Sequence, residues 1–432
     1  MRITLLARGT RGDVQPMLVL GAELRRRGHE VILGAPPNLV EFAERAGFEA
    51  YPVGPDSRVF LASDEGRALL AAGNVKKLMA GFAKVAHDNL ELTHQGVLRA
   101  TERTDLIVAG VLLAEHASSV AESKNIPLAL LHFAPLRRTR AYAAFPVTTR
   151  QLPGPLNLMT WTLFERVAWK AYAADVNRVR AWLGLPAVNS LMARREGVGE
   201  LLEIQAFSAE IVPGISDYGE HRPFVGFFTP TAEDRRAFGE TALSADLEAW
   251  LSAGDAPAYF GFGSMPVQDP EAAVRMIEQA TQRLGLRALI SAGWSELTQS
   301  GGSYESNERV RVVGALNHDA VMPRCRLAVH HGGSGTTAAS VASGLPTLVC
   351  SVFADQPFWG RQLARLGAGA HLRFDSLTAV KLERALRRML RPEATQRARA
   401  LASAMSHQPN AAARAAELIE ARLAGPVLVS YA

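Results

Sequence analysis

Cysteine is almost missing from this chain. Cys325 and Cys350 are the only two in 432 residues, and each sits in an apolar run. Two such thiols are expected to be buried and free, and a zinc site would need clustered ligands that the sequence lacks. Long hydrophobic runs are missing too. No stretch reaches the ~18–20 apolar residues that span a bilayer. The chain opens on a strand-like segment, without a basic region before a long apolar one, so no signal peptide is expected. A cytoplasmic protein follows as an expectation, with peripheral contact to the inner face of the membrane left open. Charge of one sign is not concentrated either. The net charge is +5, with 26 basic against 23 acidic residues up to Phe224 and 21 against 19 beyond it. A nucleic-acid binder should gather its cations on one surface, so no nucleic-acid partner is expected. Two nucleotide signatures are also absent. There is no Gly-Lys-Ser/Thr phosphate loop, and the first turns lack Gly-x-Gly-x-x-Gly, which excludes a nicotinamide dehydrogenase of that type.

What is present is globular composition, 48% hydrophobic and 21% charged, at a length that suits two domains. Short apolar runs alternate with helical patterns. Ile3–Ala7, Val31–Ala35, Leu106–Ala109 and Leu128–His132 read as buried strands, and Pro16–Arg27 reads as a helix closed by Gly28. The same grammar restarts at Ala258–Gly261 and continues through Arg287–Ser291, Val310–Val313, Leu327–His330 and Thr347–Val349. This alternation predicts parallel sheets with helices on both faces. Between the halves, Val212–Ser244 carries Pro213, Gly214, Pro223, Gly226 and Pro230 and reads as a linker. The expected layout is a first domain over 1–215, a linker over 216–244 and a second domain over 245–405. A C-terminal helix over 406–432 is expected to pack back on the first domain. Asn157–Trp182 reads as a helix with an aromatic cluster that suits either core packing or the wall of an apolar pocket.

The chemistry-bearing stretch is His330–Thr337, which follows a strand and opens a helix expected over Thr336–Ser343. Small residues at a helix N-terminus present free N–H groups and the positive end of the dipole, which favours a diphosphate. Ser334, Thr336 and Thr337 add hydroxyls, and His331 adds a ring N–H. About twenty residues on, Asp355 and Gln356 follow a strand end, where ligands of open α/β sheets bind. A carboxylate beside a carboxamide suits sugar hydroxyls.

The sequence resembles the UDP-glycosyltransferase family of inverting enzymes with the GT-B fold, and within it the sterol, glycopeptide-antibiotic and mycobacterial glycolipid branch. The motifs that carry the resemblance are Gly9–Pro16, Gly261–Met265, Ser291–Trp294, Gly314–Asp319, His330–Thr337 and Ala354–Trp359. It implies an α/β protein of two Rossmann-like domains facing across a cleft, acceptor side first and donor side second. It implies that His331, Gly333, Ser334, Gly335 and Thr336 hold the diphosphate, met by Gly263 and Ser264. Trp294, Leu316 and His318 belong to the nucleoside loops. Asp355 and Gln356 take the sugar, and Thr10 and Arg11 reach the phosphates from the first domain. His132 and Phe133 are acceptor-pocket candidates, with a satisfied core histidine the alternative for His132. No cofactor or metal is expected, because the loop and helix dipole can stabilise a departing diphosphate. The partners are then a nucleotide sugar, UDP-glucose first and a dTDP-deoxysugar second, and a lipophilic acceptor such as a sterol, polyketide or lipid.

Inverting transfer needs a base at the acceptor hydroxyl. Asp13 occupies that motif position. Its alternative role is to cap the helix that follows. Near the position where relatives place an assisting acid stand Gly110 and Glu115, so no paired arrangement is evident. Arg137, Arg138 and Arg140 beside Tyr142 and Phe145 make a basic aromatic loop that suits a membrane surface or plain solvation. A nucleotide-sugar epimerase and a non-catalytic nucleotide-sugar binder are the competing readings.

Overall fold

The computed structural model describes residues 1–63, 66, 75–195, 201–240, 242–262, 269–291, 307–314 and 316–424. Two six-stranded parallel sheets organise the chain. The first holds β1 (Arg2–Leu6), β2 (Glu30–Ala35), β3 (Glu49–Pro52), β4 (Leu106–Gly110), β5 (Leu128–His132) and β6 (Leu202–Gln205). The second holds β7 (Ala258–Gly261), β8 (Ala288–Ser291), β9 (Val310–Val313), β10 (Leu327–His330), β11 (Thr347–Ser351) and β12 (Gly369–Arg373).

The strand orders are β3-β2-β1-β4-β5-β6 and β12-β11-β10-β7-β8-β9. The two are the same doubly wound arrangement, with the order reversing beside the first strand of each half, where such sheets bind ligands. The central strands are unbroken apolar runs because helices cover both faces; β1, β4 and β10 are buried along nearly their whole length.

The helix after β1 spans Arg11–Arg26, five residues earlier than the apolar periodicity indicates. Thr10 caps it, and Pro16 lies within it. The helix after β10 spans Ser334–Ala342, likewise two residues early. Three of the four edge strands, β3, β6 and β12, escape a search for continuous apolar runs. β3 and β12 are only half buried. β6 is fully buried but carries Glu203 and Gln205.

The Ala411–Ala424 helix packs on the Arg11–Arg26 helix of the first half, setting Ala411, Ala412, Ala415, Ala416 and Ile419 into that core. Arg27 and His29 hold its Glu420 at 3.0 Å. A second apolar cluster joins the halves. Phe207, Ile211 and Val212 meet Phe358, Trp359 and Leu363 there, with Tyr142 and Phe145 packed alongside. Both cysteines are buried and free.

Candidate functional site

Between the sheets lies a cleft of about 1640 Å³, lined from one side by the β1 turn and from the other by the turns after β10 and β11. Its geometry starts with a short loop. Gly9 takes φ +122°, and a Cβ there would fall 2.3 Å from Asp13 Oδ2. A side chain at this position would displace the carboxylate. Asp13 sits in the first turn of the Arg11–Arg26 helix. Its Oδ2 accepts from Thr10 N at 2.8 Å and from the Thr10 hydroxyl at 3.3 Å, while Gly12 N donates to Thr10 Oγ1 at 3.2 Å. Capping therefore occupies Oδ2 and leaves Oδ1 without a hydrogen bond among the described residues. Burial raises the Asp13 carboxyl to about 6; the Thr10 N–H opposes this and the Asp355 charge adds to it. A carboxylate with a pKa close to neutral is a competent proton acceptor.

Asp355 faces it from the other wall. Burial raises this carboxyl to about 6 as well, against the hydrogen bond from Trp359. That bond is Trp359 Nε1 to Asp355 Oδ2 at 2.7 Å, from an indole that is fully buried. Gln356 is buried, and its Oε1 accepts from the N–H of Val352 at 2.8 Å and of Phe353 at 3.2 Å. In this arrangement that oxygen shapes the loop.

The loop after β10 is built around His330. Gly332 N donates to His330 Nδ1 at 3.0 Å, so Nε2 carries the proton and faces Ser340 Oγ at 3.1 Å. Gly332 adopts φ +94°, where a Cβ would lie 2.5 Å from Val349 Cγ1. Only glycine fits that turn without strain. The loop delivers Ser334, Gly335 and Thr336 to the first turn of the next helix, with Gly333 at its N-cap. First-turn N–H groups have no intrahelical partner, so three donors and the positive dipole end point at the cleft. His331 packs over Gly333, its Nε2 2.5 Å from where a Cβ would stand. Burial holds its imidazole down at about 4, so the ring is neutral. The Gly261 backbone opposes that shift, and the ring lines the cleft.

His318 is also in the cleft wall, neutral through burial at about 4. Its Nε2 meets the Tyr259 hydroxyl at 2.9 Å. Leu316 lines the same wall. Arg11 also lines the cleft. Its guanidinium pairs with Glu240 at 2.7 Å and stacks on Phe42 at 4.7 Å.

Comparison with known proteins follows this geometry. The glycosyltransferase family 28 N-terminal domain matches residues 3–143, and the erythromycin biosynthesis protein CIII-like C-terminal domain matches residues 300–421. An uncharacterized glycosyltransferase of Mycobacterium leprae is 38% identical over 97% of this chain and 96% of its own. The chain belongs to the glycosyltransferases. A second relative, an uncharacterized glycosyltransferase of Mycobacterium tuberculosis, is 39% identical over 97% of this chain and 98% of its own. A sterol 3-beta-glucosyltransferase of Arabidopsis thaliana is 31% identical over 95% of this chain and 64% of its own. The fold is GT-B. The glycotransferase of kitacinnamycin superposes with a TM-score of 0.69 at 19% identity over 98% of each chain. A calicheamicin glycosyltransferase superposes with 0.68 at 18% identity over 98% of each chain.

In this glycosyltransferase the cleft gathers Thr10, Arg11, Asp13, Phe133, Leu316, His318, His331, Gly333, Ser334, Gly335, Thr336, Asp355 and Gln356. Gly263, Ser264 and Trp294 lie outside the described residues. His132 is corrected. It ends β5 fully buried, its Nε2 2.9 Å from Glu203 Oε2 on β6, and belongs to an ion cluster with Arg137 and Arg222. Glu115 accepts from Met192 N at 2.6 Å and pairs with Arg195, so it does not assist Asp13. In the basic loop Arg137 is buried on Glu203, Arg138 is part-exposed and pairs with Glu165 at 2.7 Å, and Arg140 is exposed. Sequence reasoning missed His330 and Trp359 as positioning residues. Both stand inside the quoted motifs, and their burial was the missing information.

Proposed function

We propose that this glycosyltransferase moves a hexose from a nucleoside-diphosphate sugar to a hydroxyl of a lipophilic acceptor, with Asp13 as the general base and inversion at the anomeric carbon. UDP-glucose is the first-choice donor. The observation that carries the reading is the Asp13 carboxylate, with a raised pKa and one free oxygen, set opposite the β10 loop. The acceptor oxygen forms its bond to the anomeric carbon as the bond to the β-phosphate oxygen breaks. The proton passes to Asp13 Oδ1, and the electron pair leaves on the diphosphate. N–H groups of Ser334–Thr336 and the neutral His331 stabilise that developing charge. Asp355, held by Trp359, takes sugar hydroxyls.

A lipophilic acceptor is supported by the apolar first-domain wall, which includes Phe133, Phe145 and Phe164, and by the sterol glucosyltransferase relative. A donor-by-acceptor screen read by mass spectrometry tests the whole reading. UDP-hexoses and dTDP-deoxysugars, the latter because similar folds were solved with thymidine diphosphate, are crossed with sterols, polyketides and long-chain alcohols. Expected is an acceptor-linked hexose with inverted configuration; retention of configuration, or epimerised donor with no transfer, would sink it.

Peripheral membrane contact finds support on the Gly154–Trp182 helix rather than on the Arg137–Arg140 loop. Leu156, Met159, Leu163 and Val167 are 45%, 65%, 53% and 50% exposed along one stripe. Arg166, Lys170 and Arg178 flank or extend it and are exposed. The helix's two acids turn inward, Glu165 to Arg138 and Asp175 to His87. An apolar stripe with a cationic border fits an anionic bilayer. Co-sedimentation with phosphatidylglycerol vesicles is expected, weakened by salt and lost in Met159→Glu with Leu163→Glu. No sedimentation at low salt excludes the contact.

A further inference from the structure

A partly buried cation of the cleft, Arg8, has no counter-ion among the described residues. Arg8 follows β1, is partly buried and lines the cleft. Among the described residues it makes no hydrogen bond and no ion pair. Three other guanidiniums of the lining are paired, since Arg11 and Arg235 share Glu240 and Arg137 holds Glu203, while Arg150 and Arg361 are exposed to solvent. Burying an unpaired cation is costly, and proteins normally place a carboxylate beside it. Burial indeed lowers the Arg8 guanidinium from its usual value, with only the Tyr172 hydroxyl acting the other way.

Its electrostatic neighbours locate it. Arg8 is felt by Tyr172 and by His116. It is not among the groups acting on Asp13, Asp355, His318 or His331. His318 on the donor wall responds to Arg11 and Arg235 instead. Arg8 sits on the first-half side of the cleft, in the loop between β1 and Gly9. The first-half lining of the same cleft includes Phe164, Ala168, Val176 and Met192. His116 stays neutral, pushed down to about 3 by burial and by the neighbouring His94 and Arg8, with His94 Nδ1 3.0 Å from its Nε2. The Tyr172 hydroxyl has no hydrogen-bond partner among the described residues and also faces the cleft. An oxyanion would meet a planar fork of N–H donors and one O–H, with the nearby carboxylates Asp175 and Glu115 already held by His87 and Arg195.

We propose that Arg8, assisted by Tyr172, anchors a carboxylate on the acceptor, so that the natural acceptor is a lipophilic hydroxy acid rather than a neutral alcohol. This rests on the reading of the first half as the acceptor side. The carboxylate lies on Arg8 and the hydroxyl end extends to Asp13, which fixes the acceptor's direction in the cleft.

Lithocholate and 12-hydroxydodecanoate serve as probes, each against its methyl ester, with binding followed by calorimetry and transfer by mass spectrometry. At least one acid should bind the wild type about tenfold more tightly than its ester, as a charge-assisted pair allows. Arg8→Gln should remove that preference without weakening the ester or UDP, and Arg8→Lys should restore part of it. Because Arg8 has no partner to lose, Arg8→Gln should melt no lower than the wild type. The proposal is overturned if neither acid is preferred, or if the preference survives Arg8→Gln. It is also overturned if UDP binding falls with the acid, or if the variant melts lower or does not fold. Acid-selective binding that depends on Arg8, without any sugar transfer, would retire the transfer reading and leave the anchor standing. Transfer to neutral alcohols with no acid preference would do the opposite.

Discussion

At the scale of single residues, Asp13 combines two tasks through its two oxygens. One closes a capping box with Thr10, and the other is left for a proton. Asn keeps the cap but not the basicity. Asp13→Asn should lower kcat by roughly 10²–10⁴-fold, the usual worth of a general base, with UDP affinity unchanged by calorimetry. Wild-type kcat should fall as pH drops through about 6, where Asp13 takes up its proton. Stability runs the other way. The carboxyl is raised in the fold from 3.8 to about 6, so above pH 6 folding buries a charge that water would solvate. Asp13→Asn should therefore be more stable than the wild type at pH 8, on the order of 1–2 kcal/mol. The difference should shrink as pH falls through 6 and vanish below about 4; thermal melts across that range check it. His331 titrates at about 4, so its donor role is constant above pH 5. His331→Ala should weaken UDP binding about tenfold, the worth of one hydrogen bond to a charged group, equally at pH 6 and pH 8.

At the scale of elements, the site depends on two helix starts and on what braces them. The Arg11–Arg26 helix carries Asp13 and is backed by the Ala411–Ala424 helix, which contributes Ile419 at zero exposure. Ile419→Ala should cost about 2–4 kcal/mol in denaturant unfolding, as for other large buried aliphatics. The Ser334–Ala342 helix start depends on a turn at Gly332, where positive φ and the Val349 contact leave no room for a methyl group. Gly332→Ala should destabilise by more than about 1 kcal/mol and weaken UDP binding together with it, because the same turn aims the Ser334–Thr336 N–H groups.

At the scale of the molecule, a charge relay crosses between the halves. Arg11 on the Asp13 loop pairs with Glu240; Glu240 pairs with Arg235; Arg235 pairs with Asp319, next to His318 on the second-half wall. Glu240 is 12% exposed. Glu240→Gln leaves two guanidiniums competing for a weaker acceptor and should lower stability by about 1–3 kcal/mol. It should also raise KM for the donor more than it lowers kcat, because Asp13 itself is untouched; steady-state kinetics separate the two.

The sequence by itself determined the alternation of strand and helix, the paired doubly wound halves and the motif order that the family match reflects. Those features are local. Apolar runs of four or five residues bounded by turn residues specify a central strand wherever helices cover both faces. Glycine at a positive-φ turn is readable in the same way. Tertiary structure decided what depends on neighbours distant in the chain. The edge strands β3, β6 and β12 lack the apolar run because one side of each meets solvent or an ion cluster. His132 ends β5 and His331 follows β10, yet only His331 lines the cleft, because Glu203 on the neighbouring strand β6 holds His132 in the buried interior. Arg8 and Arg11 lie three residues apart in one loop. Glu240, brought in from more than two hundred residues away, neutralises one, and the other has no ion pair among the described residues. Pairing and burial are properties of contacts, and contacts between remote residues exist only once the chain has folded.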